Sequence, residues 1–182
     1  MTTLGIILAS TRPNRVGDSV LTWVRQAVPT DTTIDLIDLR ELALPAYDGS
    51  ASPKKGLPKE SQHAQAWGER ITDLDALLIL TPQYNASYPG QLKTAIDYLY
   101  EEWEKLPTLL VGYGWGEAAE VLPLLEKLMR RLKADVVGSI GLGFGPDLEE
   151  DGTLHIAEEK TAALDEQMTQ LLEAARTERT DT

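Results

Sequence analysis

Residues 10–17 combine hydroxyl, amide and guanidinium groups between a short apolar run and a helical pattern. The segment reads Ser10-Thr-Arg-Pro-Asn-Arg-Val-Gly17. The free N–H groups and the dipole of a helix N-terminus favour an anion, and arginine binds phosphate through paired hydrogen bonds. Neither Arg12 nor Arg15 has an obvious carboxylate partner in this loop. The segment therefore predicts a phosphate site in which both arginines are ligands.

The segment lacks the glycine patterns of other nucleotide-phosphate loops. It has neither the Gly-Lys-Ser/Thr ending nor the Gly-x-Gly-x-x-Gly spacing, so a phosphomonoester fits better than a pyrophosphate. A structural alternative stays open, in which Ser10 and Asp18 cap the helix and the arginines are solvated. Asp38 ends a later strand, and without those glycines it is interpreted as a turn residue rather than a ribose ligand.

A second segment, residues 81–90, is rich in proline, aromatic and amide groups. It reads Thr81-Pro-Gln-Tyr-Asn-Ala-Ser-Tyr-Pro-Gly90. Such a composition predicts a rigid loop whose backbone can meet the edge of a flat heterocycle. The structural alternative is a turn with Ser87 or Tyr88 at a helix N-cap.

Apolar runs typical of strands alternate with helical patterns along the chain, which indicates β-α units on a parallel sheet. Strands are predicted over residues 4–9, 33–39, 75–80, 108–113 and 136–144. Helices are predicted over residues 18–28, 58–72, 90–103, 117–132 and 156–175, and a long surface loop over residues 40–57. Strand 75–80 is nearly all aliphatic and should be central, whereas aspartates interrupt strand 33–39 and place it at an edge.

Strand order matters for function, because ligands of doubly wound sheets lie beyond the carboxyl ends of the strands at a switch point. Two common strand orders are compatible with the pattern. In both of them the loops after strands one, three and four are the expected ligand sites. Segments 10–17 and 81–90 are two of these loops.

Composition excludes several classes of function. The chain has 182 residues and a formal net charge of −12, which disfavours nucleic acid or an anionic membrane as a partner. It contains no cysteine, so redox chemistry would require a cofactor. No export signal is visible, and no apolar run approaches the roughly 20 residues that span a bilayer. We expect a small-molecule ligand, a cytoplasmic location and one domain over residues 1–175, with a polar C-terminal tail over residues 176–182.

The segment Pro82-Gln-Tyr-Asn-Ala-Ser-Tyr-Pro-Gly-Gln-Leu-Lys-Thr-Ala-Ile-Asp-Tyr-Leu closely resembles the signature of the NADPH-dependent FMN reductases, whose relatives include quinone and azo-dye reductases. The pattern Ser10-x-Arg-x-x-Arg-x-Gly17 resembles the phosphate loop of the same family. The two motifs stand in the right order at the ends of the right strands, and the resemblance spans residues 3–145. It implies an α/β flavodoxin-like fold, which is a doubly wound, five-stranded parallel sheet with strand order 2-1-3-4-5 and helices on both faces.

The same resemblance implies which residues bind FMN. The phosphate would be held by Ser10, Arg12, Asn14, Arg15, Val16 and Gly17. The isoalloxazine would be lined, largely through backbone groups, by Pro82, Gln83, Tyr84 and Asn85. A third contact would come from Gly114, Trp115 and Gly116, where glycine lets a backbone approach a ring closely. No catalytic side chain and no metal are implied.

The chain departs from the family pattern at three positions. Ala9 stands where many members have glycine, Gln83 stands where many have glutamate, and Trp115 is bulky for a loop that is usually small. Gln83 keeps the length of glutamate but loses its charge. Trp115 could stack on the flavin, close the site or pack at a subunit interface.

The implied activity is that of an NAD(P)H-dependent FMN reductase or quinone reductase-like enzyme. Hydride would pass from NADPH or NADH to N5 of FMN, and electrons would then pass to a flavin, a quinone or a similar acceptor. The alternative is a flavodoxin-type electron carrier or flavin-binding module without nicotinamide turnover, although flavodoxin phosphate loops are typically rich in Ser and Thr. A phospho-receiver domain would need acidic residues where Ala9 and Ser10 stand.

Other residues favour structure over chemistry. His63 and His155 are far apart and have no metal-ligand spacing around them. Trp23 and Trp67 fall within helical patterns and are expected to pack in the core. A homodimer or homotetramer is predicted, because the family's flavin sites usually sit by a subunit interface. The second reason is an excess of aromatic side chains over what a monomer surface needs, namely Tyr98, Tyr100, Trp103 and Trp115.

Overall fold

The computed structural model describes residues 1–180 of the chain, and the side chains of residues 1–177. Its centre is a five-stranded sheet in the order β2-β1-β3-β4-β5, in which all neighbouring strands are parallel. The strands are β1 (Thr2–Leu8), β2 (Thr32–Asp38), β3 (Ala76–Pro82), β4 (Pro107–Gly114) and β5 (Asp135–Gly143). The predicted flavodoxin-like topology is therefore confirmed.

Helices cover both faces of the sheet. They are α1 (Gly17–Gln26), α2 (Leu39–Leu42), α3 (Gln62–Thr72), α4 (Gly90–Asp97), α5 (Val121–Arg131) and α6 (Glu158–Thr180). One hydrophobic cluster joins the sheet to α3, α4 and α5, and the other joins it to α1 and α6. Alternate residues of each strand enter alternate clusters, because successive side chains point to opposite faces.

The burial of the strands follows the predicted pattern. Every residue of β3 is buried, as expected for a central strand between two helical layers. In β2, by contrast, only the last residues, Ile37 and Asp38, are buried, which confirms its edge position. Trp23 and Trp67 are buried in the two clusters, as predicted.

Several helix boundaries differ from the sequence-based ones. Helix α4 ends at Asp97, and a separate 3₁₀ turn follows over Glu101–Trp103. Helix α5 begins at Val121, because a 3₁₀ turn occupies Trp115–Ala118. The predicted loop 40–57 begins with the end of α2 and contains a 3₁₀ turn over Pro53–Lys55. A 3₁₀ turn next to an α-helix can continue its apolar spacing, as buried Trp103 does after α4, so the sequence does not mark the boundary between the two.

The C-terminal helix is longer than predicted. Helix α6 runs beyond Ala175 to Thr180, so most of the predicted tail is helical, and residues 181–182 lie outside the described residues. None of the helices within residues 1–180 has the length and apolar composition needed to cross a membrane.

The aromatic residues that suggested a subunit interface are mostly in the core. Trp103 has no exposed surface and Tyr98 is 2% exposed. The indole N–H of Trp103 donates to the carbonyl oxygen of Ile96, and the rings of Trp67 and Trp103 pack edge to face. The expectation that these side chains exceed what a monomer can bury was wrong for Tyr98 and Trp103. Trp115 does remain at the surface, with 66% of its area exposed.

Candidate functional site

Three loops meet at the carboxyl edge of the sheet, namely those that follow β1, β3 and β4. The hydroxyl groups of Ser10 and Tyr84 lie 2.8 Å apart and join the first loop to the second. The N–H of Gln83 donates to the carbonyl oxygen of Tyr113, which joins the second loop to β4. The structure therefore brings together the three segments that the sequence singled out.

The loop after β1 leads into a helix that has an open N-terminus. No side chain caps the first turn of α1, so its leading N–H groups are not taken up by a side-chain cap and favour an anion. A Cβ on Gly17 would lie 2.8 Å from the hydroxyl oxygen of Tyr113 and 3.1 Å from Cδ1 of Leu8. Glycine at this position therefore lets α1 sit directly on the end of β4. Burial raises the pKa of Tyr113, so its hydroxyl stays neutral beneath the loop.

Arg15 lies in this loop but is turned toward acidic side chains of the protein. Its side chain is 4% exposed, and its Nη2 lies 2.6 Å from Oδ2 of Asp38. Its Nε donates to Asp18, and its Nη1 donates to the carbonyl oxygen of Ser10. The loop itself offered no obvious carboxylate partner for Arg15, and the structure supplies one from another strand, because the strand order places Asp38 beside the end of β1. Asp38 also accepts a hydrogen bond from the N–H of Arg40 and so caps α2.

Arg12 has different surroundings. It is exposed, and its guanidinium carbon lies 3.9 Å from the centroid of the Tyr84 ring. A cation–π contact of this kind orients the guanidinium without using its N–H donors. Among the predicted phosphate ligands, Arg12 therefore has the charge and the donors available for an anion. Asn14 is also exposed, Val16 is partly buried against the core, and Ser10 is fully buried.

The loop after β3 turns back on itself in a tight hairpin. The N–H of Tyr84 donates to the carbonyl oxygen of Ser87, and the N–H of Ser87 donates to the carbonyl oxygen of Tyr84. The two central residues, Asn85 and Ala86, have φ of 48° and 64°, as in a type I′ turn, where asparagine is favoured. Asn85 thus contributes a backbone conformation, and the hydroxyl of Tyr84 is fixed against Ser10.

Gln83 fixes the loops after β3 and β4 relative to each other. Its Oε1 accepts hydrogen bonds from the N–H groups of Glu120 and Val121, and so caps α5. Its Nε2 donates to the carbonyl oxygen of Trp115 and to the Glu120 carboxylate, both at 3.2 Å. A glutamate could accept as Gln83 does but could not donate. These contacts explain why position 83 holds an amide and not a carboxylate. Both polar atoms of the Gln83 side chain are hydrogen-bonded within the protein.

The loop after β4 presents backbone next to Pro82 and Gln83. A Cβ on Gly114 would lie 2.8 Å from Cβ of Gln83, so glycine permits the close approach of the two loops. Gly116 has φ of 65° and open space around it. The ring of Trp115 packs against Phe144, with centroids 5.4 Å apart. Because Phe144 follows β5, the indole leans toward the β5 side of the loop.

The two histidines lie outside these loops. Nε2 of His63 is 3.0 Å from Oδ2 of Asp48 and 3.3 Å from the hydroxyl oxygen of Tyr98. His155 is 3.7 Å from Glu149. Within the described residues, no group of three or more histidine, aspartate or glutamate side chains is arranged to hold a metal ion.

Sequence reasoning missed charged residues that lie outside the three site loops but contact them. Asp38, Glu120 and Lys160 each contact a site loop through a charged or polar group. Only Asp38 left a signal, since it ends a strand that the fold places next to β1. Glu120 and Lys160 lie on helical stretches where charged residues are ordinary, and their contacts depend on how the helices pack.

A doubly wound sheet in flavodoxin order, with an uncapped helix N-terminus after β1, defines the class of flavodoxin-like proteins, whose ligands bind beyond the carboxyl ends of the strands. The family model for NADPH-dependent FMN reductase matches residues 2–147. The chain belongs to this family, and the sequence-based prediction of an NAD(P)H-dependent FMN reductase is confirmed at the level of the family.

Characterised relatives agree with the family assignment. The chain is 30% identical over 151 residues to an NAD(P)H-dependent FMN reductase of Saccharomyces cerevisiae, which covers 76% of this chain and 79% of the yeast protein. It is 34% identical over 134 residues to an NAD(P)H-dependent FMN reductase of Schizosaccharomyces pombe, covering 72% and 67% of the two chains. A 2-hydroxy-1,4-benzoquinone reductase of a Burkholderia species is 30% identical over 100 residues, covering 55% of this chain and 51% of the relative.

Solved structures agree on the fold. The flavoenzyme NAD(P)H:(acceptor) oxidoreductase FerB of Paracoccus denitrificans superposes with a TM-score of 0.69. The match covers 97% of this chain and 98% of FerB, at 20% sequence identity. At that identity the likeness concerns the fold alone.

Proposed function

We propose that this chain binds FMN across the three loops at the carboxyl edge, reduces it with NADPH or NADH, and passes the electrons to a small acceptor such as a flavin or a quinone. The acceptor class is supported by the quinone and azo-dye reductases among the relatives. FMN, when bound, supplies the redox chemistry, since it exchanges two electrons with a nicotinamide and with an acceptor.

The observation that carries this proposal is the position of Tyr84. Its hydroxyl group contacts Ser10, and its ring contacts Arg12. Both partners belong to the loop that resembles a phosphate site, while Tyr84 itself belongs to the loop that resembles a ring site. A ligand with a phosphate at one end and a flat ring at the other therefore has both of its sites side by side.

The phosphate end is built from N–H groups and from one available guanidinium. The open first turn of α1 offers N–H donors and the positive end of the helix dipole. Arg12 adds a charged donor, and Ser10 adds a hydroxyl group at the buried base of the loop. Asn14, Val16 and Gly17 would contribute mainly through the backbone. Arg15 holds the loop in shape through Asp38 and Asp18.

The ring end is built from backbone. Pro82, Gln83, Tyr84 and Asn85 would line one edge of the isoalloxazine, and Gly114, Trp115 and Gly116 would lie at its pyrimidine end. The left-handed conformation of Asn85 and the capping by Gln83 fix these backbone groups before a ligand arrives. Preorganised N–H donors stabilise negative charge where it develops, without reorganising. This role needs no side-chain acid or base.

The test is a titration with FMN, followed by reduction in the absence of oxygen. The purified protein should bind FMN, and the visible absorbance of the flavin should disappear on addition of NADPH or NADH and return on addition of a quinone. Flavin that is bound but reduced by neither nucleotide would indicate an electron carrier instead. If the protein binds no FMN, the proposed FMN site is wrong.

We also propose a homodimer or homotetramer in the cytoplasm. Self-association is supported by Trp115, a large aromatic side chain that stays 66% exposed next to the proposed ring site. The cytoplasmic location is supported by the absence of cysteine. Sedimentation at micromolar concentration tests the first proposal, and a monomer would contradict it.

A further inference from the structure

The loop after β4 has an unfavourable backbone conformation for its sequence. Gly116 and Glu117 have φ of 65° and 57°, and Ala118 follows with φ of 57°. Only the first of these is glycine, and residues with a Cβ seldom adopt left-handed angles. Such a conformation persists only where surrounding contacts hold it. The contacts that hold residues 116–118 therefore decide the shape of the loop.

The sheet accommodates this turn through glycine. A Cβ on Gly141 of β5 would lie 2.0 Å from the carbonyl oxygen of Glu117, and one on Gly112 of β4 would lie 2.8 Å from Cβ of Ala118. The turn thus packs directly on two strands, and Ala118 is fully buried. These glycines make room for the turn, but they do not fix the side chain of Glu117.

That side chain is held by Lys160 of α6. Nζ of Lys160 lies 2.8 Å from Oε2 of Glu117 and 2.6 Å from Oδ2 of Asp147. Asp147 is 2% exposed, and its Oδ2 also accepts from the N–H of Gly143 at the end of β5, at 2.7 Å. Lys160 thus links the loop after β4 to the end of β5.

The buried aspartate gives this link its rigidity. A salt bridge to a half-exposed carboxylate such as that of Glu117 contributes little by itself, because water screens it and both side chains lose freedom. Here the ammonium group is already fixed by Asp147, so its contact with Glu117 requires little further ordering. Lys160 also lies beyond residue 147, where the match to the family model ends.

We propose that Lys160 is a positioning residue for the flavin ring: it holds Glu117, and through it the loop at residues 114–118, in the shape that presents backbone N–H groups to the ring. The proposal rests on the proposed function, which assigns this loop to the pyrimidine end of FMN. Without Lys160 the turn would relax, and the N–H groups would no longer be fixed where the reduced ring carries negative charge.

Two variants separate the loop contact from general stability. Lys160→Met removes both salt bridges, whereas Glu117→Gln weakens only the contact to the loop and leaves Lys160 paired with Asp147. Lys160→Arg keeps the positive charge and, unlike Lys160→Met, should retain the wild-type properties. Lys133→Met is the matched control, since it breaks an exposed salt bridge to Glu104 outside the site.

We expect Lys160→Met to weaken the binding of FMN and of riboflavin by the same factor, about tenfold, because the ring site and not the phosphate site is affected. Glu117→Gln should also weaken both ligands by one common factor, smaller than that of Lys160→Met. The reduced flavin should lose more affinity than the oxidised flavin. A tenfold difference between them would lower the two-electron reduction potential by about 30 mV. Lys133→Met should change neither the affinities nor the potential.

The proposal is overturned if both variants bind FMN and riboflavin as the wild type does, with an unchanged potential, or if only the melting temperature falls. It is also overturned if the loss of affinity is confined to FMN. A wild-type protein that binds no flavin would instead contradict the proposed function, so the two failures can be told apart.

Discussion

The guanidinium of Arg15 and the carboxylate of Asp38 form a two-pronged salt bridge, with Nη1 2.7 Å from Oδ1 and Nη2 2.6 Å from Oδ2. The parallel register pairs Leu8, the last residue of β1, with Asp38, the last residue of β2. The loop after β1 is therefore tied to the neighbouring strand end. Arg12 is the arginine of this loop that forms no salt bridge among the described residues, and its contact is with Tyr84.

We expect Arg12→Ala to weaken FMN and to leave riboflavin almost unchanged. A charge-assisted hydrogen bond to phosphate contributes on the order of 1.5–3 kcal/mol, which corresponds to a roughly ten- to hundredfold loss of affinity. Riboflavin lacks the phosphate and so serves as the internal control. Titration of both ligands measures the effect, and an equal loss for the two would mean that Arg12 is structural.

Arg15→Ala should behave differently from Arg12→Ala. It removes the partner of a carboxylate that is 8% exposed, so the free energy of unfolding should fall by about 2 to 3 kcal/mol. FMN and riboflavin should then lose affinity together, because the whole loop loosens. Denaturant unfolding and both titrations test this, and a loss confined to FMN would make Arg15 a direct phosphate ligand.

The stability of the fold should depend on the charge of Asp38. Hydrogen bonds from Arg15 hold the pKa of Asp38 below its ordinary value. A carboxyl group with a lowered folded-state pKa stabilises the protein above its unfolded pKa of about 3.9, and this stabilisation is lost as the pH falls through the folded value. Asp38→Asn should therefore lower the free energy of unfolding at neutral pH, and its difference from the wild type should become smaller as the pH falls below about 4. A penalty that does not vary with pH would show that the charge is unimportant.

Gln83→Glu should weaken the contact between the loops after β3 and β4. The new carboxylate cannot donate to Trp115, and it would face the Glu120 carboxylate, which lies 3.2 Å from Nε2 in the present structure. We expect a loss of about 1 kcal/mol of stability at pH 7. In the double variant Gln83→Glu/Glu120→Gln, the repulsion is removed and part of the loss should return. Thermal unfolding of both variants is the measurement, and an unchanged melting temperature for the single variant would argue against the prediction.

Asn85→Ala and Tyr84→Ala should weaken FMN binding more than His63→Ala. Holding alanine in the left-handed conformation of Asn85 costs about 1 kcal/mol of free energy. Because FMN binding needs this conformation of the loop, the affinity for FMN should fall about fivefold. Asn85→Gly is the matched control, because glycine adopts this conformation freely. His63 contacts Asp48 and Tyr98, outside the three loops. Equal losses of FMN affinity in Asn85→Ala, Tyr84→Ala and His63→Ala would show that the loop after β3 has no special part in binding FMN.

The sequence by itself determined the strands, the segments of the candidate site and the family. Apolar runs and their interruptions report how much of each strand is covered, which is why β3 was predicted to be central and β2 an edge strand. Segments 10–17 and 81–90 carry their chemistry within a few consecutive residues, so a linear motif suffices to find them.

Only the tertiary structure decided which charges and aromatic rings are already paired. Arg15 meets Asp38 and Lys160 meets Glu117 across long separations in the chain, and such pairs depend on strand order, register and helix packing. Tyr98 and Trp103 looked like an interface because an apolar helical face has the same pattern whether the chain's own loops or a second subunit covers it. Here the chain itself buries both side chains. Local sequence records that a surface must be covered or a charge balanced, whereas the partner that does so is fixed by contacts between distant segments.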